Sequence, residues 1–572
     1  MLSISRSRLL ALVAAVCLSG CSLLPRLAPA AATPAPAGPT AMVAAANPLA
    51  VEAGLRVLKA GGSAADAAVA VQAVLGLVEP QSSGLGGGAF MIHYDARSGA
   101  VTAYDGRETA PAGARADMFL GEDGKPMPFA TAVLSGRATG APGAVAMLAM
   151  AQKDHGRRPW SSLFQDAERL ADEGFLISPR LAGYIGGPFP QAGAPDMVRY
   201  FSGPDGARLK AGDRLRNPAY AETVRQLAAR GPEVFYRGPI AQAVAARAQE
   251  GPLAGTLTAA DIAAYRPHKG PALCRPYRVY RVCTAQPPSG GVGLLLGLML
   301  LERTDIAARG PTDPVAWVRL AEAERVMYAD RDHFMGDPAF VTVPVEGLLD
   351  PKYVDRRAAL IGDRAGPAPK HGDPAGAPVA GVDRTVEPGG TTHFVIVDRW
   401  GDVVSMTTTV ESIFGSGRIA GGFFLNNQMT DFSFSPVNVD GGPAANAVAA
   451  GKRPRSSMSP VIVFDRDGRF VAALGSPGGN SILSYNLKAL VGLLDWKLSL
   501  QQAFDLPNLV ARGERFSSEP DRYAPGVVEA LAARGVVFAG GGENSGLHGV
   551  VARPGGLEGA ADSRREGVAR GY

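Results

Sequence analysis

The chain is short of the residues that catalytic metals and nucleic acids require. Only seven of its 572 residues are histidine, and no two of them have the spacing of zinc ligands, so we expect no catalytic metal. The formal net charge is +4, and Lys and Arg are spread along the chain, which gives no sign of a nucleic-acid partner. The hydrophobic share of 46% is ordinary for a globular protein and too high for disorder.

Three common signatures of function are also missing. The glycine run in "SSGLGGGAFMIHYD" is followed neither by Lys-Ser/Thr nor by the G-x-G-x-x-G pattern, which excludes the usual phosphate and dinucleotide loops. Ser476 in "GSPGG" is not a Gly-x-Ser-x-Gly nucleophile, because Leu474 stands where that motif requires glycine. No internal repeat is evident. We therefore interpret the glycine run as close backbone packing and expect no cofactor.

The N-terminus is organised as an export signal. "MLSISRSRLLALVAAVCLSGC" has two arginines before an apolar run over residues 9–18, which is too short to cross a bilayer. "LSGC" is typical of a bacterial lipobox and predicts lipidation of Cys21 after cleavage, which anchors a protein to a membrane surface. Ser22, where aspartate would signal retention at the inner membrane, favours a periplasmic lipoprotein of the outer membrane. A plain secretory signal is the alternative.

Two further cysteines, Cys274 and Cys283, flank the stretch "CRPYRVYRVC". If this stretch is a hairpin that turns about Arg278-Val279, the two side chains face each other directly. In an oxidising periplasm such a pair can form a disulfide. Two reduced cysteines in the core are the other interpretation, and the sequence does not choose between them.

Helical and strand patterns alternate along the rest of the chain. "NPLAVEAGLRVLKAGGSAADAAVAVQAVLGLVEP" predicts two helices with a break at Gly61-Gly62, and residues 140–361 are mostly helical by pattern. Residues 362–390 lack periodicity and are rich in Pro, Gly and Ala, which is typical of a mobile segment. Strand pairs mixed with amphipathic helices indicate a layered α/β fold in which helices cover the sheet faces.

A predicted β-hairpin begins directly after Gly389-Gly390, in "EPGGTTHFVIVDRWGDVVSMTTTV". If the hairpin is symmetric about Trp400, Thr391 lies opposite Thr409 on the same face, with β-carbons about 5 Å apart. A shift of one residue would separate the two hydroxyls, so the prediction depends on the register.

Thr391 is a candidate nucleophile. A threonine hydroxyl needs a base, and the α-amine of an N-terminal threonine can serve, because its pKa of about 7.7–8.0 lies near neutral pH. That amine exists only if the bond between Gly390 and Thr391 is broken, and Thr409 could then hold the hydroxyl by a hydrogen bond. The alternative is an ordinary strand, since threonine is favoured in half-buried sheets.

The chain resembles the γ-glutamyltransferase (glutathione hydrolase) family of N-terminal-nucleophile hydrolases, from about Ala45 to Tyr572. The matching stretches are "GGSAADAAVA", "EPQSSGLGGGAFMIHYD", "RETAP", "ERVMYADRDHFMGDP", "TTHF", "FGSG", "LNNQMTDFS", "KRPRSSMSP", "GSPGG" and the final "GY". The resemblance implies a four-layer αββα sandwich, made as one precursor that its own threonine cuts into two intertwined subunits.

The implied cut divides the chain. We expect a lipoprotein signal peptide over residues 1–20 and a Pro- and Ala-rich tether over residues 21–40. A large subunit over residues 41–390 and a small catalytic subunit over residues 391–572 then stay together as a heterodimer.

The resemblance also implies the catalytic residues. Thr391 matches the family's processing site and nucleophile, and Thr409 matches the threonine that supports it. Gly478 and Gly479 match the glycines whose backbone N–H groups form the oxyanion hole. Glycine suits that task because it allows a close approach of the backbone and unusual dihedral angles.

Substrate contacts follow from the resemblance in the same way. Arg107 matches the arginine that binds the α-carboxylate of the γ-glutamyl group, for which a planar fork of donors is well suited. Ser456 and Ser457 match hydroxyls that bind the same carboxylate. Asp431 matches the carboxylate that binds the α-ammonium, with Gln428 beside it.

The chain departs from the family pattern at two places. Glu411 stands where the best-known members have asparagine; an added carboxylate beside Asp431 should favour an ammonium but would repel an α-carboxylate near Arg107. The loop after Asp431, "FSFSPVNVDGGPAANAV", is short and lacks the tyrosine that gates the site in several bacterial members. This loop predicts a more open pocket that admits bulkier or polymeric substrates.

The sequence therefore predicts an enzyme that cleaves γ-glutamyl amide bonds, such as that of glutathione, through an ester on Thr391. Water, or an amino acid or peptide acceptor, then takes the γ-glutamyl group. A second interpretation is a relative that acts on glutaryl amides of β-lactam type, which Glu411 keeps open. A third is an uncleaved surface lipoprotein that keeps the fold only for binding.

Overall fold

The computed structural model describes residues 38–378, 381, 383, 385, 387–438, 441–540 and 544–572. The predicted signal peptide, Cys21 and the tether up to residue 37 lie outside the described residues. At the start of the described chain, the Thr40 N–H donates to the Tyr572 carbonyl at 2.8 Å. No helix in the described ranges combines the length and the apolar character that a membrane crossing requires.

The described strands are β1 Met42–Ala45, β2 Gly88–Tyr94, β3 Val101–Gly106, β4 Phe175–Leu176, β5 Arg214–Leu215, β6 His268–Pro271, β7 Leu273–Tyr277, β8 Tyr280–Thr284, β9 Gly390–Val397, β10 Val403–Glu411, β11 Ile419–Ala420, β12 Phe423–Phe424, β13 Val461–Phe464, β14 Phe470–Gly475, β15 Leu509–Arg512, β16 Arg515–Ser518, β17 His548–Arg553, β18 Gly556–Ala561 and β19 Val568–Gly571.

The described helices are α1 Pro48–Lys59, α2 Ala64–Val78, α3 Phe129–Leu134, α4 Ala144–His155, α5 Gln165–Glu173, α6 Pro179–Ile185, α7 Pro195–Tyr200, α8 Pro218–Arg230, α9 Glu233–Tyr236, α10 Pro239–Ala248, α11 Ala259–Ala264, α12 Gly291–Glu302, α13 Ile306–Arg309, α14 Pro314–Phe334, α15 Val345–Leu348, α16 Pro351–Ala358, α17 Ile482–Leu494, α18 Leu500–Asp505 and α19 Val527–Ala532.

Two antiparallel sheets form the centre of the fold, in the orders β19-β1-β9-β10-β2-β3-β6 and β18-β17-β14-β13-β8-β7. Their inner faces meet in one apolar layer, where Phe90 and Val395 from one sheet join Ile462 and Ala473 from the other. The outer face of the first sheet packs on α1 and α2, and that of the second on α12, α14 and α17. The expected four-layer αββα sandwich is confirmed.

Helices α1 and α2 confirm the predicted pair with a break at Gly61-Gly62. Asn47 caps α1, and Ser63 with Asp66 forms a capping box at the start of α2. The carboxylate of Asp398, in the turn between β9 and β10, accepts from the Ala64 N–H at 2.9 Å. An anion is favoured at a helix N-terminus, so α2 fixes the far end of the hairpin that carries Thr391.

The β9–β10 hairpin has the predicted register. Val397 pairs with Val403, and Thr391 pairs with Thr409, as symmetry about Trp400 requires. Odd-numbered residues such as Val395 lie in the layer between the sheets. Even-numbered residues of the same strands lie against the helices. This alternation places the Thr391 and Thr409 side chains on the face toward the second sheet.

The second sheet contains the predicted cysteine hairpin. Strands β7 and β8 pair with Cys274 opposite Cys283, and the two sulfur atoms are bonded to each other. Arg278, at the turn, has a φ of 55°. Of the two interpretations left open by the sequence, the disulfide is the one present.

Candidate active site

The hydroxyl of Thr391 meets the hydroxyl of Thr409 at the open end of the hairpin, with 3.1 Å between the two Oγ1 atoms. Thr409 Oγ1 also donates to the carbonyl of Gly390 at 2.9 Å and accepts from the Glu411 N–H at 2.8 Å. A hydroxyl group has one proton to donate, and the Thr409 hydroxyl donates its proton to the Gly390 carbonyl. The Thr391 hydroxyl therefore donates to Thr409, and the Thr409 hydroxyl contacts both the Thr391 hydroxyl and the Gly390 carbonyl.

A β-bulge between Thr409 and Glu411 shapes the end of strand β10. Glu411 has a φ of 83°, in the left-handed region that costs a residue with a side chain on the order of 1–3 kcal/mol. A β-carbon on Gly390 would lie 2.4 Å from the Glu411 carbonyl oxygen, so only glycine fits before Thr391. Bulges of this kind redirect side chains beside active sites, and this one brings Glu411 to the cavity.

One small cavity gathers most of the predicted site residues. Its free space is about 20 Å³, roughly the room that one water molecule needs. It is lined by Arg107, Glu387, Pro388, Thr391, Thr409, Glu411, Gln428, Asp431, Ser456, Ser457, Met458, Gly479 and Ile482. The chain just before Gly390 is thus part of the wall. Of the predicted set, Gly478 does not line this cavity, although it precedes Gly479 in the same loop.

The glycine loop at the end of β14 lies directly against the segment before Thr391. Gly479 has a φ of 54°, and a β-carbon on it would approach the Glu387 carbonyl oxygen to 2.1 Å. The Asn480 N–H donates to that same carbonyl at 3.1 Å. Since β14 belongs to the second sheet, the bond between Gly390 and Thr391 lies between elements of both sheets.

Arg107 and Asp431 form a buried ion pair, with 2.5 Å between Nη2 and Oδ2. Arg107 also donates to the Pro454 carbonyl at 3.1 Å and the Arg455 carbonyl at 2.6 Å. Gln428 Nε2 donates to Asp431 at 2.5 Å. The predicted carboxylate binder and the predicted ammonium binder therefore neutralise each other in the uncut chain. A zwitterionic α-amino acid group carries the two charges that could replace each partner.

The surroundings of Glu411 disfavour the charged form of its carboxyl. Burial raises the pKa of its carboxyl well above the usual range, and the neighbouring Asp431 raises it further. Its Oε2 accepts hydrogen bonds from Ser412 Oγ at 2.6 Å and from Asn427 Nδ2.

Replacing Glu411 with glutamine tests the direction of this pKa shift through the pH dependence of stability. A carboxyl whose pKa is raised by folding stabilises fully below its unfolded pKa, and that stability is lost as pH rises through the folded pKa. We expect the unfolding free energy of the uncut protein to fall less between pH 5 and pH 8 in Glu411→Gln than in the unsubstituted protein. Urea unfolding at several pH values, both chains carrying Thr391→Ala, measures this; parallel pH profiles would contradict it.

The two serines after Arg455 line the cavity in different ways. Ser456 donates its N–H to the Pro288 carbonyl at 2.8 Å, and its hydroxyl accepts from the Met458 N–H at 3.1 Å. The hydroxyl of Ser457 instead accepts from Arg331 at 2.6 Å. Both serines are buried, and both line the same cavity as Arg107.

Sequence reasoning missed a charged cluster behind Ser457. Arg331 donates to Glu387 at 2.5 Å, and Arg455 Nε lies 3.5 Å from the same carboxylate. Burial alone would raise the pKa of Glu387, but the two arginines lower it to about 2. The stretches "ERVMYADRDHFMGDP" and "KRPRSSMSP" contained both arginines, but no spacing rule connects side chains so far apart in sequence.

The comparisons with known proteins agree on one family. The model of the Gamma-glutamyltranspeptidase family matches residues 50–572. A glutathione hydrolase proenzyme of Bacillus subtilis (strain 168) is 37% identical over 551 residues, covering 93% of this chain and 92% of the relative. An acylase ACY 1 proenzyme of Pseudomonas sp. (strain V22) is 34% identical over 557 residues, covering 95% of this chain and 96% of the relative.

Among solved structures, the cephalosporin acylase from Bacillus halodurans is similar to this chain with a TM-score of 0.80 and 25% sequence identity. The match covers 96% of this chain and 99% of that chain. The chain therefore belongs to the gamma-glutamyltranspeptidase family. The resemblance inferred from the sequence motifs is confirmed.

Proposed function

We propose that this chain is the precursor of a γ-glutamyltransferase that also hydrolyses glutathione-type γ-glutamyl amides. It becomes active by cutting its own bond between Gly390 and Thr391. The observation that carries the proposal is the contact of the Thr391 and Thr409 hydroxyls, 3.1 Å apart, with the Thr409 hydroxyl bonded to the Gly390 carbonyl. The glutathione hydrolase proenzyme relative supports the same activity.

Self-cleavage transfers the Gly390 acyl group before water releases it. The Thr391 oxygen attacks the Gly390 carbonyl carbon, the C–N bond breaks, and the acyl group moves to an ester while the Thr391 nitrogen takes a proton. Water then hydrolyses the ester and leaves a free carboxylate on Gly390. The large subunit then covers residues 41–390 and the small subunit residues 391–572. Both stay together because β9 pairs with β1.

The freed α-amine of Thr391 then acts as the base. It takes the proton of its own hydroxyl as the oxygen attacks the γ-carbonyl of the donor, and later gives it to the leaving amine. The N–H groups of Gly478 and Gly479 stabilise the oxyanion. Water or an amino acid or peptide acceptor attacks the resulting ester, which regenerates Thr391 and releases the γ-glutamyl product.

The α-amino acid end of the donor replaces the contact between Arg107 and Asp431. Its carboxylate pairs with Arg107, with the hydroxyls of Ser456 and Ser457 nearby, and its ammonium pairs with Asp431. The backbone carbonyls of Pro454 and Arg455, which accept hydrogen bonds from Arg107 at 3.1 and 2.6 Å, hold the guanidinium in place. A preorganised fork of this kind favours a carboxylate over other anions.

A glutaryl acylase is the second candidate, and the acylase relative favours it. A glutaryl group lacks the α-ammonium, so it would leave Asp431 buried without a cationic ligand. The proposed function therefore predicts faster hydrolysis of a γ-glutamyl anilide than of the matching glutaryl anilide. The reverse order in purified, processed enzyme would favour the acylase.

Exclusion of a γ-glutamyl polymer to the same extent as in gated relatives would count against the predicted open pocket.

Replacing Thr409 with valine is expected to slow self-cleavage about 10- to 100-fold. The variant keeps the shape but removes the hydroxyl from the Gly390 carbonyl, and a lost buried hydrogen bond costs about 1–3 kcal/mol. A gel time course of freshly made precursor measures the rate. Thr392→Val is the matched control, because the Thr392 hydroxyl has no hydrogen-bond partner in the described parts of the chain. Equal rates for the two variants would contradict the role of Thr409.

We also propose export and lipidation at Cys21, with the mature enzyme anchored to the outer membrane on its periplasmic side. The lipobox "LSGC" and the following serine support this. A Cys21→Ala chain should lose incorporation of labelled fatty acid and leave the membrane fraction. Full membrane association without the label would contradict the anchor.

A further inference from the structure

Five basic side chains lie together on the surface at the turn of the β9–β10 hairpin. They come from helix α1, from the loop after α4 and from the turn itself, and we call them the basic face: Arg56, Lys59, Arg157, Arg158 and Arg399. Arg158 is half-buried and the other four are exposed. Although Lys and Arg are spread along the sequence, the fold concentrates positive charge at this place.

A series of contacts connects the elements that carry the basic face. The guanidinium carbon of Arg157 lies 3.9 Å from the centroid of the Trp400 ring, and that of Arg399 lies 5.4 Å from the same centroid. Arg399 also donates to the Leu58 carbonyl at 2.9 Å, near the end of α1. The hairpin turn, the loop after α4 and helix α1 therefore form one continuous surface.

A surface cavity of about 160 Å³ lies within the basic face and is lined by Arg56 and Arg158, with Ser162 and Gln165 also in its wall. The free space is about ten times what one water molecule needs. Guanidinium groups bind phosphate oxygens through paired N–H donors. The cavity can therefore admit a phosphate group between two arginines.

Most of the charge on the basic face is uncompensated. Arg56 forms an ion pair with Asp166 at 2.7 Å, but no carboxylate in the described ranges lies within ion-pair distance of the other four cations. Each Lys or Arg close to an anionic bilayer strengthens binding to it about fivefold. The basic face is therefore complementary in charge to a surface of anionic phospholipids.

Two exposed aromatic rings border the basic face. Trp400 is 39% exposed and Tyr572 is 37% exposed. The Lys59 Nζ atom lies 5.5 Å from the centroid of the Tyr572 ring. Trp and Tyr are enriched where a membrane meets water, because their rings are amphipathic. Cations beside such rings fit a bilayer, which offers phosphates at its surface and an apolar layer beneath.

The proposed lipid anchor would bring this face to a bilayer. The Thr40 N–H donates to the Tyr572 carbonyl at 2.8 Å, so the described chain begins beside the basic face. Only residues 22–37 separate Cys21 from Gly38, and at full extension they span at most about 60 Å. A short link of this kind keeps the face at a high local concentration near the membrane.

We propose that the basic face docks on a bilayer that contains anionic phospholipids, with the cavity between Arg56 and Arg158 taking a headgroup phosphate. This inference rests on the proposed lipidation of Cys21. Strand β9 has eight residues, about 26 Å at 3.3 Å per residue, and Thr391 lies at the end away from the turn. Docking would therefore point the active site away from the membrane, toward dissolved donors.

Lysine footprinting of the full, unsubstituted chain tests the docking. The chain is added to vesicles of phosphatidylcholine alone, or with about one third phosphatidylglycerol, and an amine reagent acetylates its exposed lysines. Because each cation contributes about fivefold, acetylation of Lys59, read by mass spectrometry, should slow at least about fivefold on the anionic vesicles alone. Salt at about 1 M, which shortens the Debye length to about 3 Å, should restore it.

Lys352 is the internal control for the footprint. It is exposed at the start of α16, and α16 packs on the outer side of the second sheet, whereas the basic face lies beside α1 on the first. The acetylation rate of Lys352 should be the same on both kinds of vesicle. Equal rates for Lys59 on the two kinds of vesicle would overturn the docking.

Arg157→Gln combined with Arg399→Gln supplies the second arm. With two cations removed, the docked population should fall about 25-fold, so Lys59 should be acetylated on anionic vesicles nearly as fast as on neutral ones. Arg303→Gln combined with Arg309→Gln is the matched control, because it removes the same charge from arginines that have carboxylate partners elsewhere. Equal loss of protection in both double variants would overturn the basic face.

Other occupants of the face would give different results. If duplex DNA at the same phosphate concentration slowed Lys59 acetylation as strongly as anionic vesicles do, the face would bind polyanions in general, and the lipid proposal would be wrong. Slowing without vesicles that grows with protein concentration would assign the face to a second copy of the chain, which would also overturn the proposal.

Failure of the docking is distinguishable from failure of the proposed anchor. Incorporation of labelled fatty acid at Cys21 is measured before the footprint is read. A lipidated chain whose Lys59 is equally exposed on both kinds of vesicle would refute the docking alone. A chain without fatty acid that protects Lys59 on anionic vesicles would refute the anchor alone, and one that does not would refute both.

Discussion

A Thr391→Ala chain is expected to remain one full-length band and to lose at least about 10⁴-fold in γ-glutamyl hydrolysis, as removal of an enzyme's nucleophile typically does. Alanine has no hydroxyl to attack the Gly390 carbonyl, so neither the cut nor the free α-amine can arise. The segment that includes Glu387 and Pro388 then stays in the cavity wall. Denaturing gels and release of nitroaniline from γ-glutamyl-p-nitroanilide measure both effects.

Thr391→Ser is the informative control. It keeps a hydroxyl at the same place in strand β9 and should be processed and active, at a reduced rate. N-terminal sequencing of the smaller fragment should begin at residue 391 in both the unsubstituted protein and the serine variant. An active protein in which residues 390 and 391 are still joined would refute the mechanism, because no other base is assigned to the Thr391 hydroxyl.

Arg107→Gln is expected to lower kcat/KM for γ-glutamyl donors about 10²- to 10³-fold. Removing one partner of a buried ion pair costs about 3–5 kcal/mol, and each 1.4 kcal/mol is a factor of ten. The substitution removes the partner of the donor α-carboxylate and leaves Asp431 without its buried counter-ion. Steady-state kinetics with γ-glutamyl-p-nitroanilide measure the loss.

Self-cleavage provides an internal control for this variant. Gly390 carries no α-carboxylate, so processing does not require the carboxylate fork of Arg107. A two-band gel together with the kinetic loss would therefore assign Arg107 to substrate binding rather than to folding. Arg107→Lys should keep part of the activity, since it retains the charge but not the planar pair of donors. Full activity in Arg107→Gln would contradict the assignment.

The hairpin that carries Thr391 could be predicted because its determinants are local. Asp398 and Gly401 define the turn, alternating apolar residues define both strands, and the pairing of Thr391 with Thr409 follows from symmetry. The two-helix unit before it is equally local, since the caps at Asn47 and Ser63 lie at the breaks in the pattern. The order of layers and the role of most site residues came from resemblance to a family.

Contacts between distant parts of the chain could not be predicted. Arg107 and Asp431 are separated by 324 residues, and Arg331 and Ser457 by 126; no periodicity links them. The raised pKa of the Glu411 carboxyl depends on burial and on the neighbouring Asp431, which are properties of the folded state alone. The sequence therefore shows an added carboxyl at this position, and only the fold shows the surroundings that raise its pKa.

The proposed cleavage site lies between the two sheets, so the cut, and the activity that follows from it, would require that both sheets have already packed together. Thr391 is supplied by the first sheet, and the Gly479 loop, which follows a strand of the second, lies against the chain just before it. A chain whose layers have not closed cannot bring these groups together, so under the proposed self-cleavage it would not free the α-amine of Thr391. The proposed self-cleavage would thus leave incomplete or misassembled molecules inactive, and it would activate each molecule once, without an external protease.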